Sequence, residues 1–176
     1  ANDTYGFWMD SRETRLVIEE ALLSGISQTI EPVWVLKGNC RDEFNTDIGD
    51  TYIEISIEKQ HLWYYDKGKL IMDTDIVTGN DSIPEMRTPP GLFAVWEKAE
   101  DTVLTGTMFE ETWNSHVDYW MGITWTGVGI HDASWRYAFG GEIYKWGGSH
   151  GCINVPHDNV KLLFEQTKKN IPVVIY

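Results

Sequence analysis

The segment Ser149-His150-Gly151-Cys152-Ile153-Asn154, with a second histidine upstream in Gly129-Ile130-His131-Asp132, carries the residue types that covalent catalysis needs. Cysteine is an intrinsically strong nucleophile, and a nearby histidine able to take its proton makes it a thiolate near neutral pH. A lone cysteine is more often a small buried packing residue. Glycines weigh against that here, because Gly147-Gly148 and Gly151 let a reactant approach the backbone and leave amides room to face an oxyanion. Cys152 is therefore the expected nucleophile, with the amides of Gly151 and Cys152 as oxyanion donors.

The five histidines are not equivalent. His131 follows a Gly-rich, strand-like run, Trp125 to Ile130, which would present its ring at a strand end; it is the expected general base. An imidazole holds one useful tautomer only when its far nitrogen is anchored, and Asp132 can anchor it through its carbonyl or its carboxylate, or else simply form a turn. His150 shares a side with Cys152 on an extended segment, so it is either a second site residue or a histidine that ties the turn. Ser149 belongs to the same turn. Asn154 either binds substrate backbone or serves the turn before Pro156. Among the aromatics, which mostly suit a β-rich core, Trp135 is singled out because it follows His131 closely. His61, His116 and His157 are assigned no chemistry. A metal held by His131, His150 and Cys152 lacks any supporting carboxylate-rich or paired-cysteine pattern, so no metal or cofactor is expected.

Positioning such a site takes a packed domain, and 176 residues with 42% hydrophobic content allow one plus a smaller appendage. Fourteen Lys and Arg against 27 Asp and Glu give a net charge of -13, which disfavours a nucleic-acid partner because phosphate binding needs clustered positive charge. Cys40 and Cys152 are too few for a disulfide scaffold, and pairing them would destroy the nucleophile, so Cys40 is a spectator or packing thiol. No apolar run approaches the roughly 20 residues of a membrane span, and no signal peptide opens the chain.

Asp10-Ser11-Arg12-Glu13 has the form of a capping box, and Gly25 is placed to end the helix in a left-handed conformation, with Leu16, Ile18, Ala21 and Leu22 as its apolar face. From Tyr52 strict alternation takes over, Ile53, Ile55 and Ile57 on one face, which predicts a half-buried strand. His61 to Tyr65, the turn Asp66 to Lys69, and Leu70 to Val77 predict a hairpin. Thr88-Pro89-Pro90-Gly91 predicts a rigid turn into a strand, Leu92 to Trp96. Residues 97–120 are polar with scattered aromatics and are expected to be a long insertion or lid. A helix opening at Val155 to Asp158, carrying Val160, Leu163, Phe164 and Thr167 on one side, and a strand from Ile171 to Tyr176 complete a mainly β, α+β chain.

Together these residues resemble the L,D-transpeptidases with the YkuD catalytic domain, whose signature is a histidine, a spacer, then Ser/Thr-His-Gly-Cys, a hydrophobic residue and Asn. His131 and Ser149 to Asn154 match it, and Thr88-Pro89-Pro90-Gly91-Leu92-Phe93 matches the family's Thr-Pro-x-Gly-x-Phe turn. Tyr52 to Gly79 is similar to the start of that domain, and Tyr119 to Trp135 resembles enterococcal and clostridial members. The resemblance implies a β-sandwich catalytic domain with a C-terminal helix over 49–176, preceded at 1–48 by a small α/β remnant of a peptidoglycan-binding-type domain. It implies that Cys152 attacks a peptidoglycan tetrapeptide stem at the bond to its terminal D-alanine, and that an acceptor amine resolves the thioester into a 3→3 cross-link. His131 is then base and later acid, Asp132 positions it, His150, Gly151 and Ser149 shape the oxyanion region, and Asn154 and Trp135 contact substrate. Carbapenems are implied as covalent inhibitors acting on the cysteine. A monomer working in the cell envelope is expected, anchored to the membrane through a segment upstream of this sequence. The alternatives are an L,D-carboxypeptidase, which passes the same thioester to water, and a cell-wall binding module with a dead site. A papain-like protease places Cys before His, the reverse order.

Overall fold

Two β-sheets meet over one core in a computed structural model that describes residues 4–38, 48–108 and 110–176. In chain order the elements are β1 (Trp8–Met9), α1 (Ser11–Ser24), β2 (Trp34–Leu36), β3 (Tyr52–Ser56), β4 (His61–Asp66), β5 (Lys69–Asp75), β6 (Gly91–Ala94), β7 (Glu97–Met108), β8 (Glu111–Gly122), β9 (Gly129–Asp132), α2 (Tyr144–Gly147), β10 (Ile153–Val155), α3 (His157–Gln166) and β11 (Pro172–Ile175). Cys40 lies outside the described residues.

The five-stranded sheet runs β5-β4-β3-β11-β6, with the C-terminal strand β11 parallel to β3 and antiparallel to β6. Alternation sets β3 as the sequence predicts: Ile53 and Ile55 are fully buried, and Glu54 between them points outward. The β4–β5 turn places Lys67 and Gly68 both at positive φ, 51° and 73°, the backbone that a two-residue hairpin favours. The four-stranded sheet runs β10-β9-β8-β7; β7, β8 and β9 are antiparallel, and β10 joins parallel to β9. Ile53, Phe93 and Val173 from the first sheet, Met121, Ile130, Ile153 and Val155 from the second, and Val160 and Leu163 of α3 form the shared core. The architecture is thus the mainly β sandwich with a C-terminal helix expected of the sequence.

Two local expectations change. Residues 97–120 are not an irregular insertion: they form most of β7 and β8, a twelve-residue pair in register from Glu97↔Gly122 to Met108↔Glu111. The ladder accounts for the polar backbone, so the segment needs no apolar face of its own. At the N-terminus, Asp10 caps α1 by accepting from the amides of Arg12 and Glu13 at 3.0 Å each, and Gly25 ends it at φ 62°. The Asp10 amide, however, donates to the Val33 carbonyl, so the reciprocal half of the capping box is replaced by a tertiary bond. The expected apolar face is open: Leu16, Ile18 and Leu22 are exposed, and Thr14 is the buried residue of the helix. Thr4 instead anchors the N-terminal segment, its buried hydroxyl donating to the Ile123 carbonyl and accepting from the Ala94 amide.

Candidate active site

Strand register brings the chemistry together. His131 on β9 lies opposite Trp120 on β8 and Asn154 on β10, forming one row across the sheet. Side chains two apart on a strand share a face, so Cys152, just before β10, faces the same way as Asn154. Gly129 stands on that face of β9 two residues before His131. A side chain at Gly129 would meet the Trp120 indole at 2.4 Å, so glycine here is what lets the aromatic ring lie across the strand.

The turn that presents Cys152 is tied at several points. Ser149 Oγ donates to the Cys152 carbonyl and accepts from the Gly151 amide at 3.0 Å. Gly151 has φ 121°, a conformation that only glycine adopts readily, and its Cα packs where a side chain on Gly79 would be. Thr88, from the Thr-Pro-Pro-Gly turn, is buried; its hydroxyl donates to the Gly151 carbonyl at 2.7 Å and accepts from the Gly79 amide at 2.9 Å. Asn154 exchanges backbone bonds with Val77, which fixes the start of β10 to the end of the first sheet.

His131 is buried, and both ring nitrogens are engaged. Nδ1–H donates to the Asp132 carbonyl at 2.7 Å, leaving Nε2 as the acceptor, 3.2 Å from Asn154 Nδ2. The amide orientation of Asn154 is set by Arg136, whose Nε donates to Asn154 Oδ1 at 2.6 Å. Of the two anchors that the sequence left open for the histidine, the carbonyl of Asp132 makes the contact. Its carboxylate turns to β8 and accepts from the amides of Asp118 and Tyr119, both at 2.9 Å.

The surroundings of both groups disfavour their charged forms. Burial pushes the Cys152 thiol up to about 11, against the Gly129 backbone N–H, which favours the thiolate. The thiol donates to the Gly127 carbonyl at 3.6 Å. Burial likewise holds His131 below the usual histidine range; its bond to the Asp132 carbonyl and the Asp132 charge oppose this, and the Arg136 charge adds to it. Both shifts favour the neutral thiol and the neutral imidazole over the charged pair. Of the two amides expected to face an oxyanion, that of Gly151 donates to Ser149 Oγ at rest.

Above this floor lies a cavity of about 810 Å³ walled by β7 and β8. The Trp113 indole lies flat over Gly106, its cross-strand partner, where a side chain would meet the ring at 2.0 Å. On its other face it stacks on His150, with centroids 4.1 Å apart and planes 5° apart. His150 thus joins the catalytic turn to the hairpin. Trp135 is half exposed at the cavity edge, its ring centroid 6.0 Å from that of His131. Cys152, His131, Ser149, His150, Asn154 and Trp135 all line this space; Asp132 and Gly151 sit behind it. Arg136, Thr88 and Trp113 were not singled out from the sequence. Arg136 and Trp113 carry no motif of their own, whereas the turn containing Thr88 was legible and its long reach to Gly151 was not.

The profile of the L,D-transpeptidase catalytic domain (YkuD) matches residues 50–175. A cysteine-to-serine mutant of the Enterococcus faecium L,D-transpeptidase superposes with a TM-score of 0.77 at 41% identity, covering 99% of this chain and 67% of that one. The catalytic domain of the E. faecium L,D-transpeptidase acylated by ertapenem superposes at 0.65 with 49% identity, over 73% of this chain and 98% of that one. L,D-transpeptidase 1 of Mycobacterium tuberculosis is 26% identical over 136 residues, 73% of this chain; the chain spans about half, 52%, of that protein's length. The chain belongs to the L,D-transpeptidase catalytic-domain (YkuD) family.

Proposed function

We propose that the chain catalyses acyl transfer between peptidoglycan stem peptides through a Cys152 thioester, giving 3→3 cross-links. The observation that carries the proposal is the placement of His131 and Cys152 on one face of the paired strands β9 and β10, on the floor of a cavity wide enough for a peptide. In the first half-reaction His131 Nε2 takes the thiol proton as the sulfur attacks the carbonyl between the third residue and D-alanine. The Cys152 amide faces the developing oxyanion. Collapse breaks the C–N bond, His131 returns the proton to the departing amine, and the thioester remains. In the second, His131 takes a proton from the acceptor amine as its nitrogen attacks, the C–S bond breaks, and the leaving sulfur recovers that proton from His131.

Asp132 acts through its carbonyl, fixing the tautomer, and the Asn154 amide, which donates to Nε2 at rest, gives way as the thiol proton moves onto that nitrogen. His150 and Trp113 together wall the peptide path. Residues 1–48 serve as the end of a preceding peptidoglycan-binding-type domain, a reading supported by the superposition on the longer E. faecium enzyme, which covers 99% of this chain. The site of action is the cell envelope, where the substrate lies.

Incubation with a disaccharide tetrapeptide, followed by intact-protein and product mass spectrometry, is expected to show D-alanine release, a Cys152 adduct and a dimer linked through third residues. Cys152→Ala abolishes all three, and His131→Ala slows adduct formation by about 100-fold or more. A carbapenem is expected to form a stable adduct at Cys152, as ertapenem acylates the E. faecium domain. Tripeptide monomer as the sole product would replace transfer by hydrolysis, and binding without an adduct would leave a wall-binding module.

A further inference from the structure

Arg136 is the one lysine or arginine among the residues lining the cavity, and its surroundings are unusual for a half-buried cation. Nε donates to Asn154 Oδ1 at 2.6 Å and Nη1 to the Gly147 carbonyl at 2.8 Å. Both acceptors are neutral oxygens. Among the described residues no carboxylate pairs with it: the salt bridges of Arg15, Lys37, Arg87 and Lys145 all lie elsewhere. The one carboxylate among the described lining residues, Glu97, accepts from the Trp120 indole N–H at 3.1 Å. Nη2 carries two further N–H donors with no acceptor among the described residues. In a chain of net charge -13, a half-buried guanidinium with no counter-charge among the described residues is left open to an anionic ligand group.

Position says which ligand group reaches it. Arg136 grips Asn154, two residues along from Cys152 on the same face, a strand distance of roughly 6.5 Å. Once the sulfur has engaged a peptide carbonyl, one further extended residue spans roughly 3.5 Å, which brings that residue's carboxylate toward the guanidinium. We propose that Arg136 docks the C-terminal carboxylate of the donor, the carboxylate of the amino acid that leaves. Its planar fork suits a carboxylate, and the same contact selects donors that end one residue beyond the attacked bond. The identity of this carboxylate rests on the acyl-transfer proposal above; the anion site itself does not.

Two measurements separate these claims, both in a Cys40→Ser background so that one thiol is read. The first compares alkylation of Cys152 by iodoacetate and by iodoacetamide, which needs no peptide substrate. Arg136→Gln is expected to lower the iodoacetate-to-iodoacetamide rate ratio about tenfold, with Arg136→Lys restoring most of it; an unchanged ratio overturns the anion site. The second compares kcat/KM for D-alanine release from a tetrapeptide with alaninamide release from its C-terminal amide. The wild type is expected to prefer the acid by about 10- to 100-fold and Arg136→Gln to lose that preference; equal losses on both peptides would make Arg136 a purely structural tie of Asn154. Should Arg136→Gln fail to fold, Arg136→Lys decides, since lysine keeps the charge without the fork: a reduced but persistent acid preference supports the site and its complete loss refutes it. A wild type that acylates with neither peptide, yet shows the arginine-dependent alkylation ratio, removes the transpeptidase proposal and leaves the carboxylate site standing.

Discussion

The reactivity of Cys152 should climb with pH without levelling off over the range in which ordinary thiols saturate. With its thiol pushed up to about 11, about one sulfur in ten thousand is ionised at pH 7, against about one in a hundred for a cysteine at its ordinary value of 9.0. The cause is burial, and the imidazole that could offset it is itself held neutral by burial. Alkylation by iodoacetamide, followed by intact mass in a Cys40→Ser variant, is therefore expected to accelerate about tenfold per pH unit from pH 7 to about 9.5. An inflection at or below about pH 8 would show a thiolate–imidazolium pair at rest and refute an uncharged one. Stability gives an independent reading of the same shift. The native thiol keeps its proton while the unfolded chain ionises around its ordinary value of 9.0, so this contribution is fully present below pH 9 and is lost as pH rises toward 11. Urea denaturation should show a steeper alkaline decline in the wild type than in Cys152→Ala, where the raised Tyr52, Tyr64 and Tyr176 still contribute.

Because the Asp132 carboxylate caps two β8 amides and its carbonyl holds the histidine, Asp132→Asn should reduce adduct formation less than tenfold, whereas Asp132→Ala should cost about 2 kcal/mol in urea denaturation by orphaning both donors. Thr88→Val removes a hydroxyl that both donates and accepts between Gly79 and Gly151; it is expected to cost about 1–3 kcal/mol and to slow acylation through a loosened turn, read by denaturation and by adduct kinetics. His157, between Asp158 and Asp118, is held above the usual histidine range by those carboxylates. Its contribution is fully present below about pH 6.5 and is lost as pH rises through the native value, so Asp118→Asn should flatten the decline in melting temperature between pH 6 and 9.

Where hydrophobic alternation was strong, the fold could be read directly: Ile53 and Ile55 on β3, the β4–β5 hairpin, and Val160 and Leu163 on α3 all pack as their spacing requires. The β7–β8 hairpin escaped because much of its length has solvent on both faces, with Val103 49% exposed and polar residues alternating with polar residues. Such strands are held by the backbone ladder and by single placements such as Trp113 over Gly106, and neither leaves a periodic trace. The α1 stripe misled in the opposite direction, since helical spacing specifies a face without specifying a neighbour to cover it. In the site, types and spacing pointed to Cys152, His131 and the turn between Ser149 and Asn154. Partner choice was not legible: the carbonyl rather than the carboxylate of Asp132, and Ser149 as the acceptor for Gly151, depend on dihedral angles that sequence does not carry.

The spacer between the histidine and the cysteine has a physical origin in the topology. An antiparallel neighbour of β9 can follow after a short turn, but β10 is parallel to β9 and must be reached by a crossover, which needs a dozen or more residues. The stretch 133–152 is that crossover, and it includes α2. Parallel register then sets Asn154 directly beside His131, and Cys152 is delivered at the end of the crossover, on a turn rather than inside a strand. A shorter connection could not make the pairing. A register shift of one residue would turn Cys152 and Asn154 to the core face while Ile153 took their place at the cavity. The crossover also brings Arg136 back over Asn154, where its bond to Gly147 closes the loop on itself. The same covalent path that spaces base from nucleophile therefore carries the cation assigned here to the substrate carboxylate, so changes in the length of this crossover should alter donor selection together with catalysis.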